Sequence, residues 1–531
     1  MKKIVITLSL SIFAIGVNNI IYGQVNPKVL NWYNGTGSGM HTEKGYKKLK
    51  SRTSTTVVVA VIDSGIDIEH EDLKGKIWTN TDEIPNNGID DDKNGFIDDI
   101  HGWNFIGNTQ GEHVDLATLE KTRVLRELSK KFKDIDSKTI SEKDKADYAL
   151  YEKVKKEVQE EIDNYSKYLA RYEALPKLIE ETPVKVAKIL GIEKYTAQDL
   201  KKWDAKTDEE KKLKYLAQMI LDGDLSLEMV DEQKKQFTDM LDFNLNTEFD
   251  ERKIIGDNPT DFSDNNYGNN DVEGPDALHG THVGGIIGAI RGNNLGGDGV
   301  ADNVQLMVLR AVPNGDENDK DIALSIRYAV DNGAKVINMS FGKSYSPNQK
   351  EVYEAFKYAN DKGVLLIHAA GNSSLDLDKD DNFPTAKYTF QTEKLDLYLT
   401  IGASTRFKKN KLPADFSNYG QTMVDVFAPG HDIYNSVPQS EYKKLNGTSM
   451  AAPMVAGVGA LLTSYFPTLT MNEIKDIIIN SATSFKGKQQ LLPGSEEKVD
   501  FAILSTSGSV VNVKNAIKMC IKLEKSKALQ N

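Results

Sequence analysis

The sequence predicts an α/β fold built on a doubly wound, mostly parallel β-sheet that carries helices on both faces. Short apolar runs rich in β-branched residues recur along the chain, and such runs are typical of strands buried on both faces. Amphipathic segments separate several of these runs, and alternating strands and helices form the crossover units of a parallel sheet. A long charged stretch with almost no glycine interrupts the pattern and indicates an all-helical inserted module.

Residues 1–23 have the features of a signal peptide. Lys2 and Lys3 supply positive charge, residues 4–17 are almost wholly apolar, and the small Gly23 offers a cleavage position. The apolar run is shorter than the roughly 20 residues that cross a bilayer. We therefore expect an exported protein, secreted or periplasmic, with no membrane span after removal of the signal. An uncleaved membrane anchor is the alternative.

Residues 24–111 are expected to form the first segment of the sheet domain. The run VVVAVI at 57–62 predicts a buried central strand, and Asp63 stands where that strand ends. An acidic loop follows at residues 90–99. Open parallel sheets bind ligands at the carboxyl ends of their strands, so Asp63 is a candidate site residue.

Residues 112–255 are expected to form the helical insertion. Apolar side chains recur at steps of four and three over residues 150–172, which predicts one amphipathic helix. Capping-box spacings mark two expected helix starts, Ser141 with Asp144 and Thr196 with Asp199. The insertion could shield a cleft, assist folding or bind a protein partner, and a solvated helical module without such a role is the alternative.

Residues 256–531 are expected to form the second segment of the sheet domain. Four apolar runs predict buried strands, at 304–312, 335–341, 364–370 and 398–403. Two amphipathic segments between them predict helices, at 319–332 and 349–362. A glycine follows each of these segments, which is a common helix stop signal.

The composition limits the partners of the chain. Its formal net charge is -12 and its Lys and Arg residues are spread along the sequence, whereas nucleic-acid binding requires a basic surface. We therefore expect no nucleic-acid partner.

The single cysteine, Cys520, cannot form an internal disulfide, and its apolar surroundings predict a buried helical position.

Three short motifs contain the residue types of an acyl-transfer site. They are VIDSG at 61–65, HGTHVGG at 279–285 and NGTSMAAP at 446–453, and they contain Asp63, His279 and Ser449. Acyl transfer requires a nucleophile, a base that takes its proton and a group that orients the base. Ser449 precedes an apolar segment typical of a helix, and a helix start favours the developing oxyanion.

In these motifs and in their order, the chain resembles the subtilisin-like serine peptidases. The resemblance covers about residues 57–102 and 274–519 and leaves the helical insertion outside. It implies a serine endopeptidase that acts on polypeptides through Asp63, His279 and Ser449. An α/β-hydrolase is excluded, because its Gly-x-Ser-x-Gly motif and its order of catalytic residues are missing. A catalytically silent scaffold or binding protein of this fold is the alternative.

The resemblance also implies further site residues. Asn372, in the segment AAGN at 369–372, matches the family's amide donor to the oxyanion. Ser340, Phe341 and Gly342 match the segment that pairs with an extended substrate backbone, a mode in which backbone hydrogen bonds give affinity. The second histidine of the motif, His282, is structural in this family.

The acidic loop predicts a structural Ca²⁺ site. Oxygen ligands stand at alternating positions, as in the first half of an EF-hand loop: Asp90, Asp92, Asn94, the Phe96 carbonyl and Asp98. His101 occupies the position of the EF-hand glutamate, so the loop is not a full EF-hand. A solvated acidic loop is the alternative. The resemblance implies a second cation site in the loop at 292–299.

Overall fold

The computed structural model describes residues 30–407 and 409–530, so the expected signal peptide at 1–23 lies outside the described residues. The described chain divides into two compact units. One contains residues 143–246, and the other contains residues 30–142 and 247–530. Within this described part, no helix has both the length and the apolar character needed to cross a membrane.

The larger unit is built on a nine-stranded sheet with the order β10-β13-β7-β6-β5-β4-β1-β3-β2. Its strands are β1 (Val57–Asp63), β2 (Gly102–Asn104), β3 (Val304–Arg310), β4 (Val336–Met339), β5 (Leu365–Ala369), β6 (Tyr398–Ser404), β7 (Val426–Pro429), β10 (Thr483–Ser484) and β13 (Ser509–Val510). All neighbours pair in parallel except β10 with β13. Two hairpins complete the strands, β8 (Ile433–Val437) with β9 (Glu441–Leu445) and β11 (Gln489–Leu491) with β12 (Lys498–Asp500).

Helices cover both faces of this sheet. In the larger unit they are α1 (Thr42–Tyr46), α2 (Glu120–Phe132), α8 (Arg252–Ile255), α9 (Leu278–Gly288), α10 (Asp319–Asp331), α11 (Gln349–Asp361), α12 (Thr448–Tyr465), α13 (Met471–Asn480) and α14 (Val513–Gln530). Val59 and Val61 of β1 join one core cluster with α9 and α12, whereas Ala60 and Ile62 join another with α10 and α11. Successive side chains of a strand point to opposite faces, so β1 is buried on both. The predicted doubly wound architecture is confirmed.

The smaller unit, residues 143–246, is helical. Its helices are α3 (Lys145–Glu173), α4 (Leu175–Leu190), α5 (Ala197–Lys202), α6 (Asp208–Asp222) and α7 (Leu227–Asp239), followed by a π-helical turn at Met240–Asn244. Helix α3 confirms the prediction at 150–172, and the capping box of Thr196 with Asp199 is present. Helix α3 begins at Lys145, after a 3-10 turn at Glu142–Asp144, so it starts later than the spacing of Ser141 with Asp144 predicted.

The helical unit is shorter than the predicted insertion. Residues 112–142 and 247–255 belong to the larger unit, where α2 contributes buried charges. Arg123 contacts Glu120 at 2.8 Å and Glu251 at 3.1 Å, and all three side chains are at most 8% exposed. The charged segments that precede and follow the helical unit in the sequence therefore belong to the larger unit, which is the sheet unit. Cys520 is buried in α14, as predicted.

Candidate active site

Three neighbouring strands end at one edge of the sheet and carry most of the predicted site residues. Asp63 ends β1, Ser340–Gly342 follow β4, and Asn372 lies shortly after β5. The sheet order places β4 between β1 and β5, and all three run parallel. The carboxyl ends of these strands therefore meet, as the sequence predicted for Asp63.

His279 lies against Asp63. Its Nδ1 is 2.7 Å from Asp63 Oδ1, and the Asp63 side chain is 2% exposed while that of His279 is 38% exposed. Gly280 permits this approach of α9 to the end of β1, because a Cβ there would lie 2.1 Å from the carbonyl oxygen of Gly65. With its Nδ1 proton donated to Asp63, the ring keeps Nε2 free to accept a proton.

The pKa of His279 reflects two opposing influences. Loss of hydration favours the neutral ring and lowers the pKa, whereas the charge of Asp63 and its hydrogen bond raise it. The net shift is upward from the ordinary value. Asp63 therefore both orients the imidazole and stabilises its protonated form.

Ser449 lies in the first turn of α12, after Gly447. Its hydroxyl donates to the carbonyl of Ser340 at 3.1 Å, and the Ser340 hydroxyl donates to the carbonyl of Ser449 at 3.0 Å. Among the described residues, no hydrogen bond joins Ser449 to His279. Hydrogen bonds between catalytic groups are often long or poorly aligned without substrate, so this geometry does not exclude a pair of Ser449 with His279.

The amide of Asn372 has a fixed orientation. Its Oδ1 accepts hydrogen bonds from the backbone N–H of Thr448 at 2.8 Å and from the Thr448 hydroxyl at 2.9 Å. This assignment directs the NH₂ group away from Thr448. A side-chain carbon on Gly447 would lie 3.5 Å from both Asn372 Nδ2 and the backbone nitrogen of Ser449, so both nitrogens border the same space.

Two cavities share the segment Ser340–Gly342. One, of about 410 Å³, is lined by Ser449 and Asn372, and the other, of about 300 Å³, is lined by Asp63 and His279. The structure thus brings all seven residues predicted for catalysis and substrate binding to one cleft.

His368 is a residue that the sequence analysis missed. It lies on β5 and is buried, and its Nε2 lies 2.8 Å from the carbonyl oxygen of Phe341. Burial lowers the pKa of His368 to about 4, so the ring is neutral near pH 7 and Nε2–H donates to this carbonyl. His282, in contrast, binds backbone carbonyls of the β8–β9 hairpin, in agreement with a structural role.

The acidic loop brings together carboxylates that differ in part from the predicted ligands. Oxygen atoms of Asp90, Asp92 and Glu83 lie within 4.8 Å of one another. Glu83 lies outside the ten-residue loop, so no local spacing identified it. Both oxygens of Asp98 accept backbone N–H groups of the turn at 87–88, at 3.1 and 2.8 Å.

The remaining two predicted ligands have different surroundings. The Asn94 amide donates to Asp92 at 3.0 Å and to Asp99 at 2.9 Å. The ring of Phe96 is buried against aromatic side chains, and its centroid is 5.1 Å from that of Trp103. Phe96 therefore anchors the loop to the core of the larger unit.

A second carboxylate with incomplete contacts lies near the loop at 292–299. Asp72 is fully buried, and its Oδ2 has no hydrogen-bond partner. Its Oδ1 accepts the amide of Asn293 at 2.7 Å. Burial raises the pKa of Asp72, because the charged form loses its hydration.

Fold and site together define an α/β protein with a carboxylate–imidazole pair, a serine at a helix start and an amide donor in one cleft. Residues 54–503 match the Subtilase family (Peptidase_S8). The chain belongs to this family, and the resemblance found from its motifs is confirmed.

Two curated proteins and a solved structure are similar to parts of the chain. A thermophilic serine proteinase of Bacillus sp. (strain AK1) is 39% identical over 205 residues, which are 38% of this chain and 46% of that protein. Subtilisin DY of Bacillus licheniformis is 34% identical over 207 residues, which are 39% of this chain and 70% of that protein. A chain from a structure of the subtilase cytotoxin SubAB is 24% identical with a TM-score of 0.40, covering 46% of this chain and 77% of that one. The match therefore spans about half the length of the first of these relatives.

Proposed function

We propose that this chain is an exported serine endopeptidase that hydrolyses peptide bonds through Asp63, His279 and Ser449. Its main support is the 2.7 Å contact between Asp63 and His279 in the cleft that also contains Ser449. Membership of the subtilase family agrees with this activity. The signal-like residues 1–23 support export to the outside of the cell or to the periplasm.

In the proposed reaction, the Ser449 hydroxyl attacks the scissile carbonyl while His279 Nε2 takes its proton. Asp63 holds the imidazole through Nδ1 and stabilises the imidazolium. The carbonyl oxygen becomes negatively charged and receives hydrogen bonds from Asn372 Nδ2 and the Ser449 N–H, the two nitrogens that border the space beside Gly447. His279 then protonates the leaving amine, and water releases the acyl group by the reverse sequence.

The segment Ser340–Gly342 binds the substrate backbone in this proposal. It continues from β4 along the cleft and borders both cavities. An extended peptide that pairs with it gains backbone hydrogen bonds, and the cavities select side chains. The bond between His368 and the Phe341 carbonyl supports this role, because it fixes the segment from the side of β5.

A catalytically silent scaffold is the second candidate function. The hydroxyl of Ser449, which donates to Ser340 and not to His279, is the observation that favours it. Labelling with a fluorophosphonate probe separates the two, since the probe reacts with an activated serine. We expect the purified protein to be labelled and Ser449→Ala to be unlabelled with an unchanged melting temperature. Absence of labelling, or equal labelling of Ser449→Ala, would contradict the proposal.

We also propose that the acidic loop holds a structural Ca²⁺ ion. Glu83, Asp90 and Asp92 would supply carboxylate oxygens, which suit this hard cation. Without a cation, three carboxylates at this separation repel one another. Asn94, Phe96 and Asp98 were predicted as ligands too, and their contacts give them at least the role of shaping the loop. The bound ion would stabilise the fold and takes no part in hydrolysis.

The loop at 292–299 is proposed as a second cation site. The unpartnered Oδ2 of Asp72 is the observation that supports it, because a buried carboxylate oxygen without a partner is destabilising unless a cation or donor satisfies it.

The helical unit is proposed to restrict access of large substrates or to bind a protein partner.

A further inference from the structure

Glu317 lines the proposed cleft but has no part in the proposed reaction. It borders the cavity of about 300 Å³ that also contains Asp63 and His279. The residue is 2% exposed, and its Oε1 is buried without a hydrogen-bond partner. Buried carboxyl oxygens in proteins almost always have a partner, so an oxygen without one beside a binding cavity requires an explanation.

The cations near Glu317 are bound by other groups. Lys343 Nζ lies 2.7 Å from both Glu120 and Asp319 and donates to the backbone carbonyl of Glu317. Arg123 also donates to that carbonyl and forms its ion pairs with Glu120 and Glu251. Neither cation forms an ion pair with the Glu317 carboxyl. Burial raises the pKa of Glu317 because the charged carboxylate loses its hydration, and the charge of Lys343 opposes this shift only in part.

The remainder of the cavity is acidic. Asp63, Asp115 and Asp276 line it together with Glu317. Among the described residues that line it, Arg310 is the one arginine, and no lysine is present. The Arg310 guanidinium is committed elsewhere, since it donates to the Ser64 carbonyl, Asn104 Oδ1 and the Val114 carbonyl. A positively charged side chain that enters the cavity would therefore meet the Glu317 carboxyl, whose Oε1 has no hydrogen-bond partner.

We propose that Glu317 is a specificity-determining residue that binds a lysine or arginine side chain of the polypeptide substrate. This inference rests on the proposed endopeptidase function. Alternate side chains of an extended peptide point to opposite sides, and the two cavities flank the same segment, Ser340–Gly342. The residue before the scissile bond enters the cavity that holds Ser449, so the second or fourth residue before the bond enters the one that holds Glu317.

Matched chromogenic peptides test the proposal by hydrolysis. Each pair is identical except for lysine or norleucine at the second or fourth position before a p-nitroanilide. We expect one lysine peptide to have a kcat/KM at least tenfold above its norleucine partner, and Glu317→Gln to remove most of this ratio through KM. Glu354→Gln is the control, since it removes an exposed carboxylate outside the cavity. Equal, measurable rates for lysine and norleucine, or an unchanged ratio in Glu317→Gln, would overturn the proposal.

Binding to the inactive variant separates this proposal from the proposed function. Fluorescence anisotropy of the same labelled peptides is measured with Ser449→Ala and with Ser449→Ala combined with Glu317→Gln. Tighter binding of the lysine peptide that depends on Glu317 supports the specificity role even if the native protein hydrolyses neither peptide, in which case the proposed activity fails alone. Equal binding of both peptides overturns the specificity role whatever hydrolysis shows. The melting temperature of Glu317→Gln should change little, because Oε1 of the carboxyl has no hydrogen-bond partner to lose.

Discussion

The two units of this chain use charged residues in opposite ways. In the sheet unit, Lys343 and Arg123 are almost fully buried and contact carboxylates at 2.7–3.1 Å. In the helical unit, ion pairs join exposed residues one turn apart, such as Lys156 with Glu160, whose side chains are 76% and 63% exposed. Exposed pairs of this kind contribute about 0–1 kcal/mol, whereas breaking a buried pair costs about 3–5 kcal/mol.

This difference indicates where the molecule is sensitive to substitution. Buried charges of the sheet unit hold loops and helices around the proposed cleft, since Lys343 directly follows Ser340–Gly342. Surface charges of the helical unit keep it hydrated and pair with one another on exposed helix faces. We therefore expect large, specific effects from polar substitutions in the sheet unit and small effects in the helical unit.

The largest effect is expected from Asp63→Asn, which keeps the shape of the side chain but loses the charge that faces His279. Such a change favours the wrong tautomer of the imidazole and lowers kcat by about 10⁴-fold in a triad. Steady-state kinetics on a chromogenic peptide measure this loss. Asp224→Asn, an exposed carboxylate of the helical unit, is the control and should keep the native kcat. A loss below tenfold in Asp63→Asn would contradict the role of this pair.

The same pair predicts the pH dependence. His279 must be neutral to accept a proton, and Asp63 raises its pKa above the ordinary value of 6.5. Activity should therefore fall as the pH drops through a midpoint above 6.5. In Asp63→Asn the midpoint of the residual activity should move to lower pH, because the charge that raised the pKa is gone. A profile of kcat/KM against pH that is identical in both proteins would contradict this electrostatic role.

A smaller loss is expected from Asn372→Ala. Its amide matters once the oxyanion forms, so kcat should fall by about 10²–10³-fold with little change in KM, a magnitude known from a subtilisin. Asn382→Ala is a matched comparison, since Asn382 lines the same cavity and its amide contacts the Ala370 carbonyl. That variant should raise KM more than it lowers kcat. The opposite pattern in the two variants would assign Asn372 to substrate binding.

The sheet unit could be predicted from sequence because local patterns determine it. The apolar run at 57–62 forms a strand buried on both faces, and the helices expected at 319–332 and 349–362 end within one residue of the prediction. The motif residues Asp63, His279 and Ser449 stand at strand or helix ends, and the three short motifs and their order identified them. These features depend on neighbours in the chain and not on distant contacts.

Features formed by distant contacts could not be predicted. The boundary of the helical unit was placed too early because α2 has the composition of a solvated helix, yet Glu120 and Arg123 are buried in it. A sequence does not distinguish an exposed charge from one whose partner, such as Lys343, lies more than 200 residues away. Asp72 and Glu317 were missed for the same reason, since residues close to them, such as Asn293 and Asp63, lie far away in the sequence. Glu83 lies near Asp90 in the sequence but outside the alternating pattern of the loop.

Removal of the proposed calcium should have a moderate effect, on stability alone. An ion that binds the folded state adds about 2.7 kcal/mol at a hundredfold excess over its Kd. We expect a chelator to lower the melting temperature of the native protein, and Asp92→Ala to have a low melting temperature that calcium does not raise. Asp224→Ala should respond to calcium like the native protein. Identical melting curves with calcium and with chelator would contradict the site.

The smallest effect on catalysis is expected when residues 143–246 are replaced by a short Gly-Ser linker. These residues form their own compact unit, and the residues of the proposed site all belong to the other one, so the cleft should stay intact. Hydrolysis of a small chromogenic peptide should therefore change little. Hydrolysis of a large protein such as casein should rise several-fold if the unit restricts access.

Equal activity of both forms on both substrates would indicate a partner-binding appendage, and loss of soluble protein would indicate a role in folding. A fall in peptide hydrolysis by a soluble, folded deletion variant would show that the catalytic unit depends on the helical one, and the contrast between the two units would then be wrong.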